Sequence, residues 1–282
     1  MSTQSKQQRR EEARAQAMRR RQEQERAASR QRVLLISLVL VGLVVIGGVV
    51  VWILGNQPDP APDFSEVEDP LGSVSAPANA TAEGGILVGA DGVAGSTEGS
   101  AEDAITVTVY SDFLCPVCAS FEQTNGPVLE ELRATGDLVV DYRPVSILDR
   151  ASAGSQYATR AATSVALVAD QDPEAFVAFH DALFANQPTE GGTGLSDEEM
   201  ADLARGAGVD DAVADQIADG SYFSWGEDSY ASWVAASTEQ ATRDFEQFGT
   251  PTVLVDGENL ADLGVDWRIE GALELTVEEA RG

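Results

Sequence analysis

Apolar residues along this chain fall into three kinds of run. Val33 to Leu54 is a block of 22 residues without a charge, broken only by Ser37 and three glycines. At ~1.5 Å per residue it reaches roughly 33 Å, the thickness of a bilayer core, and predicts one transmembrane helix. The second kind is short and β-branched. Ile105-Thr106-Val107-Thr108-Val109-Tyr110 and Leu138-Val139-Val140-Asp141-Tyr142-Arg143 read as buried strands. The third kind is helical. Phe121, Val128, Leu129 and Leu132 form an apolar face behind Pro116, and Gly136 supplies a stop. Gly126-Pro127 predicts a kink in that helix. Five further helices are expected over 151–168, 173–184, 197–206, 211–218 and 229–248. Toward the end, 264–282 predicts a strand end and a closing helix. Trp267, Ile269, Leu273 and Val277 would form its buried face, with Gly271 counting against it. Ile86-Leu87-Val88 and Val93 flank Ala90-Asp91-Gly92, a hairpin-like opening. The Pro-rich 55–84 stretch has little to bury and reads as a tether.

Charge orients this plan. Residues 1–32 carry ten Lys/Arg and four Glu, whereas residues 55–282 carry eight Arg, no Lys and forty-three Asp/Glu. The positive-inside rule places segment 1–32 in the cytoplasm, the 33–54 helix across the cell membrane and everything beyond it outside. A 32-residue lead and the following Gly55-Asn56-Gln57-Pro58 point to an uncleaved, single-pass anchor rather than a signal peptide. The basic run also fits nucleic-acid binding, but a topogenic, lipid-facing flank is the simpler reading. The outer part, at eight minus forty-three or −35, argues against nucleic acid as a partner.

Candidate chemistry narrows to one tetrapeptide. Cys115-Pro116-Val117-Cys118 holds both cysteines of the 282-residue chain. Three readings apply. A zinc site wants four ligands, and with His180 the sole histidine it would need carboxylates or a second subunit. A structural disulfide across two residues constrains little chain. A redox dithiol needs nothing more than this spacing. Cys115 sits where a strand hands over to a helix. The unpaired N–H groups and the positive helix end there favour a thiolate. Cys115 is therefore expected to be accessible and to attack, and Cys118, one turn inside, to be buried and to resolve.

Strand, C-x-x-C helix and second strand make a β-α-β unit that resembles the thioredoxin fold. Gly249-Thr250-Pro251-Thr252-Val253-Leu254-Val255-Asp256-Gly257 resembles that fold's Thr-cis-Pro strand and turn. The helical stretch between these parts resembles the insert of the DsbA-like oxidoreductases. So do Asp112-Phe113, Tyr142-Arg143-Pro144 and Phe176-Val177-Ala178-Phe179-His180-Asp181-Ala182-Leu183-Phe184-Ala185-Asn186-Gln187. These motifs occur in order over about residues 105–257. The chain is thus identified as a membrane-anchored bacterial form of that family. The implied architecture is α/β: a transmembrane helix, a linker over 55–84, and a thioredoxin-like domain over 85–282 with a helical insert at about 151–248.

The resemblance implies a Cys115–Cys118 disulfide that exchanges with exported proteins bearing free thiols. A membrane partner or small-molecule reoxidant is implied, with no non-protein cofactor and no metal. Thr250 and Pro251 would bind substrate backbone, while Pro116, Val117 and Asp112 would shape the site. DsbA carries histidine where this chain has Val117, which implies a milder thiolate and a less oxidising poise. Relatives carry an acid six positions before the first cysteine. Here that position is Val109, which leaves Asp112 as the nearest candidate proton relay. A reductase or isomerase running the same site backwards, or a non-catalytic peptide-binding module, are the alternatives. His180 lies among Phe176, Phe179, Leu183 and Phe184 and is expected to pack rather than to catalyse. Tyr222, Phe223, Trp225, Tyr230 and Trp233 are expected in the core of the insert rather than in a peptide groove.

Overall fold

The structure, a computed structural model, describes residue 18, residues 38–51 and residues 60–282. The chain divides into two compact units, Met1–Gln57 and Pro58–Gly282. In the first unit, residues 38–51 are helical and their apolar side chains are exposed. Among the described residues no helix is long and apolar enough to cross a membrane. The remainder of the expected span, 33–37 and 52–54, lies outside the described residues, as does the basic 1–32 segment apart from residue 18.

The second unit is built on a five-stranded sheet of order β1-β3-β2-β4-β5. β2 (Ile105–Ser111) and β3 (Leu138–Pro144) run parallel, from Ile105 opposite Leu138 to Ser111 opposite Pro144. α1 (Pro116–Ala134) joins them. β4 (Thr252–Val255) lies antiparallel to β2, with Val109 opposite Val253. It turns through Asp256 and Gly257, at φ +47° and +83°, into the edge strand β5 (Glu258–Asn259). Positive φ at both turn positions is the geometry that short hairpins favour, and Asp-Gly supplies it cheaply.

Two boundaries differ from expectation at this core. β1 (Ile86–Val88) makes no hairpin with Val93. It pairs antiparallel with β3, and the chain turns back so that Val88 bridges Ser96 in parallel. Pairing there covers the free edge of β3, which a local hairpin would have left open. α1 continues as one helix past Pro127, with Phe121 and Leu129 on either side of it buried in one core. It ends at Thr135 with Gly136 at φ +83°, the left-handed position that glycine fills best. At the C-terminus, α7 (Ala272–Arg281) buries Leu273 and Val277, but 264–271 holds no strand and Ile269 is 62% exposed. Gly271, at φ +79°, starts this helix instead of weakening it.

The insert between β3 and β4 holds α2 (Tyr157–Gln171), α3 (Phe176–Ala185), α4 (Asp197–Gly206), α5 (Asp211–Ala218) and α6 (Tyr230–Asp244). α4 begins at a Ser196–Glu199 capping box. α2 begins six residues later than expected. A short 3-10 turn over Asp149–Ala151 and positive φ at Ala153 and Gln156 interrupt the approach. α6 stops at Asp244, freeing Phe245 and Phe248 to pack edge-on against Tyr110 at 5.4 and 5.7 Å. Tyr222 and Trp233 are buried in the insert, with Phe223 and Tyr230 packed around them.

Residues 60–84 are not a free tether. Arg243 donates to the carbonyls of Phe64, Ser65 and Val67 at 2.6–3.1 Å. Ser75 N donates to the Glu227 carbonyl at 2.8 Å, and Asn79 Nδ2 to the Ala169 carbonyl at 2.7 Å. Phe64 is buried, and Trp225 lines a cavity with Pro60, Pro62 and Phe64. Phe64 and a set of hydrogen bonds, some accepted by the strap's carbonyls and some donated by Ser75, Ala78 and Asn79, hold this strap on the insert despite its proline content.

Candidate active site

The site forms at the corner where β2 ends and α1 begins. Cys115 is the N-cap of α1 in extended conformation (φ −78°, ψ 113°), and Pro116 takes the first helical position. Proline costs no hydrogen bond there. The Cys115 carbonyl accepts from the amides of Cys118 at 3.0 Å and Ala119 at 3.2 Å, so the tetrapeptide is itself the first helical turn. Val117 is 39% exposed and faces solvent. Opposite, the Thr250–Pro251 peptide is cis, and the Cys115 thiol donates to the Thr250 carbonyl at 3.3 Å. The structure therefore brings Cys115, Cys118, Pro116, Val117 and Thr250-Pro251 together at one point.

Both cysteines are free thiols, the dithiol form. Cys115 is 5% exposed, less accessible than its place at a helix start suggested, because the Thr250-Pro251 loop and the Asp112-Phe113 turn close over it. Cys118 is fully buried. Their acidities diverge. A hydrogen bond from the Cys118 thiol holds Cys115 down to about 6 against the opposing effect of burial. The Thr250 side chain and the amides of Cys118 and Val117 assist. Burial, then the Cys115 sulfur beside it, pushes Cys118 far up. One thiol is poised to ionise near neutral pH and the other to keep its proton.

Asp112 does not turn toward the thiols for a hydrogen bond. Its carboxylate is buried and accepts from the amides of Leu114 at 2.8 Å and Leu148 at 2.9 Å. Burial raises it to about 7, opposed by those two hydrogen bonds. It fixes the turn ahead of Cys115 and is the nearest buried acid to it. Val109 lies in the sheet-side core.

His180 packs as expected, among Tyr142, Phe184, Phe113 and Phe176 with ring centroids at 4.7 to 6.2 Å. Its Nδ1 meets Asp181 at 3.0 Å. With Glu122 these make a trio of metal-ligating type that includes neither cysteine. Burial raises Glu122 to about 7. His180 is raised as well, because Asp181 and Glu122 outweigh its burial. Sequence reasoning missed Gln187. Its Nε2 donates to the carbonyls of Phe113 and Cys115, both at 3.0 Å. Backbone acceptors leave no trace in a sequence; the signal available was the motif that ends at this residue.

A thioredoxin family model matches residues 93–273, more than half of the chain. DsbA of Mycobacterium tuberculosis, in its reduced crystal structure, is 32% identical at a TM-score of 0.53. The match covers 70% of this chain and 91% of that one. The chain belongs to the DsbA-like thiol–disulfide oxidoreductases of the thioredoxin family. The reduced form of the disulfide bond oxidoreductase DsbG from the same organism is similar at 32% identity and a TM-score of 0.54. It covers 75% of this chain and 91% of its own. The serine/threonine-protein kinase PknE of M. tuberculosis is 29% identical over 159 residues, which make up 55% of this chain. The chain spans 27% of that kinase's length.

Proposed function

We propose that this DsbA-like oxidoreductase works outside the cytoplasmic membrane, held there by the 33–54 segment, and forms disulfides in exported proteins. What supports the oxidising direction is the place of Cys115 as N-cap of α1, beside the Cys118 thiol that holds it down to about 6. A stabilised thiolate stabilises the reduced enzyme, and that makes its disulfide a better oxidant. The anchor rests on the 22-residue uncharged block and on the basic lead set against the acidic remainder.

In the cycle a substrate thiolate attacks Cys115 of the Cys115–Cys118 disulfide. One substrate–Cys115 bond forms, and Cys118 leaves as a thiolate that takes a proton. A second substrate thiolate displaces Cys115, so the substrate gains a disulfide and the enzyme keeps two electrons as its dithiol. A membrane partner or small-molecule oxidant returns the pair to the disulfide. Thr250 and Pro251 would hold the substrate backbone. The cavity beside Pro251, of ≈ 240 Å³ and lined by Leu260, Trp267 and Arg268, extends from that point.

Two measurements test this. Full-length Cys118→Ala protein should accumulate mixed disulfides with exported proteins on non-reducing gels. Absence of adducts while the wild type is folded and exported would sink the exchange mechanism. A reporter fused after residue 90 should be active outside the cytoplasm, and activity confined to the cytoplasm would remove the anchor and the location together.

A further inference from the structure

We infer that Gln187 is a positioning residue of the thiol site, through which the helical insert sets the reactivity of Cys115. His180 and Phe184 on α3 and Gln187, two residues past its end, are spaced four and three residues apart. All three meet Phe113, two residues before Cys115. The His180 ring is edge-on to Phe113 at 5.5 Å, Phe184 stacks on it at 4.7 Å, and Gln187 Nε2 donates to its carbonyl at 3.0 Å. The other N–H of the same amide reaches the Cys115 carbonyl at 3.0 Å, so both donors of the side chain are spent on this loop.

Position makes those bonds consequential. The Cys115 carbonyl already accepts the amides of Cys118 and Ala119, and those amides belong to the turn that faces the sulfur. Gln187 adds a third donor from outside the helix. It draws negative charge from a carbonyl on the residue that must itself become an anion. It also fixes the turn whose Val117 and Cys118 amides favour that anion. Phe113 is fully buried, so no water replaces the lost donor. The ionisable groups facing Cys115 are Cys118 and Asp112, and Asp149 stands behind Asp112. Gln187 carries no charge, so its effect on Cys115 persists across the pH range.

The inference rests on the thiol-exchange reading for its consequence in turnover, but thiol acidity is measurable without any substrate. Full-length protein would be reduced and alkylated from pH 4 to pH 9. Gln187→Met keeps the length of the side chain and removes both donors. It should raise the Cys115 pKa by about half a unit to one unit and slow alkylation at pH 5.5 about three- to tenfold. Gln187→Glu should raise it further once the new carboxylate ionises against two carbonyls. The neighbouring Asn186→Ala, which loses a bond to the Ala182 carbonyl away from the thiols, should match the wild type. A wild-type alkylation profile in folded Gln187→Met overturns the inference, and so does an equal shift in Asn186→Ala. Should the Gln187 variants fail to fold, the side-chain amide of wild-type Gln187 decides by NMR. Its protons should be protected from exchange and should shift when the cysteines are oxidised. An amide exchanging as fast as an exposed glutamine overturns the proposal. Loss of disulfide exchange alone, with the alkylation shifts intact, would count against the proposed function and leave Gln187 standing.

Discussion

The two sides of α1 face different cores. Toward the sheet, Phe121 and Leu129 pack on Ile105, Val107, Val109, Val253, Trp267 and Val277. Toward the insert, Cys115 and Cys118 share a core with Phe113, Phe179, Leu183 and Trp233. The sheet side is mostly apolar volume, with Asn125 Nδ2 on the Trp267 carbonyl at 3.3 Å as its buried polar link. The insert side brings polar anchors with it, in Gln187 on the Phe113 and Cys115 carbonyls and in the Leu148 amide on Asp112. Thr250 is the sheet side's own contact with Cys115. The sheet therefore supplies a frame, and the insert supplies most of the thiol's surroundings.

The largest test of that division removes volume from each side in turn. Trp233→Ala and Phe121→Ala each empty a fully buried aromatic site, and each should cost ~3–5 kcal/mol of stability. Chemical denaturation would measure this. Trp233→Ala alone should also change the rate of Cys115 alkylation, since its core contains the thiols. An equal change in Phe121→Ala would break the comparison.

Asp112 offers a pH test of nearly the same size. Its acid is raised from 3.8 to about 7, so the native state holds this proton more tightly than the unfolded chain does. Stability from this group is complete below pH ~4 and is lost as pH rises through about 7. Three units correspond to about 4 kcal/mol over that window. Asp112→Asn should flatten this slope at a pH-independent cost of about 1–2 kcal/mol, because its single carbonyl oxygen cannot serve both sites that now hold the Leu114 and Leu148 amides. Thermal unfolding from pH 4 to pH 8 checks both parts. Glu122, also raised to about 7, leaves its own slope over the same window, so it is a slope as steep as the wild type's in Asp112→Asn that assigns the proton elsewhere.

The strap gives a smaller effect. Arg243→Ala removes three hydrogen bonds to the carbonyls of residues 64, 65 and 67. It should cost about 1–2 kcal/mol and expose the strap to proteases without altering Cys115. A change in thiol acidity in this variant would show that the outer face of the insert also reaches the site.

The frame was far more legible than the surroundings. β2, β3, α4 and α5 stand where alternation, helical spacing and caps placed them, since those signals are local. The Cys115 helix start was visible for the same reason, and the Thr250-Pro251 strand through the family resemblance. The start of α2 was not, because Ala153 and Gln156 adopt positive φ without being glycine. Residues 60–84 look like a tether by composition, and what holds them is Arg243, some 180 residues downstream, acting on backbone carbonyls. Asp112 was readable as an acid near the thiols, but its partners are amides whose position depends on the fold. Gln187 is the same case with donor and acceptor exchanged. Side chains that bond to distant backbone leave no pairing in the sequence.

The smallest effect, and the sharpest, lies at Val117. This side chain is 39% exposed on the first turn of α1, between the two cysteines. Val117→His would place an imidazolium beside Cys115 without touching either core, so it adds to the thiolate from a third direction. Solvent screens a charge at such a site, and one unit of Cys115 acidity is a reasonable ceiling. One unit is ~1.4 kcal/mol, which for a two-electron couple is ~30 mV. The Cys115 pKa should therefore fall from about 6 and the reduction potential should rise by up to ~30 mV, both reporting the same stabilised thiolate. The effect should fade above pH ~6.5 as the imidazole loses its proton. Equilibration with glutathione, paired with alkylation on the same protein, measures both quantities. If the Cys115 pKa falls and the potential stays, the poise is set by Cys118 on the insert side, and Cys115 governs only the rate.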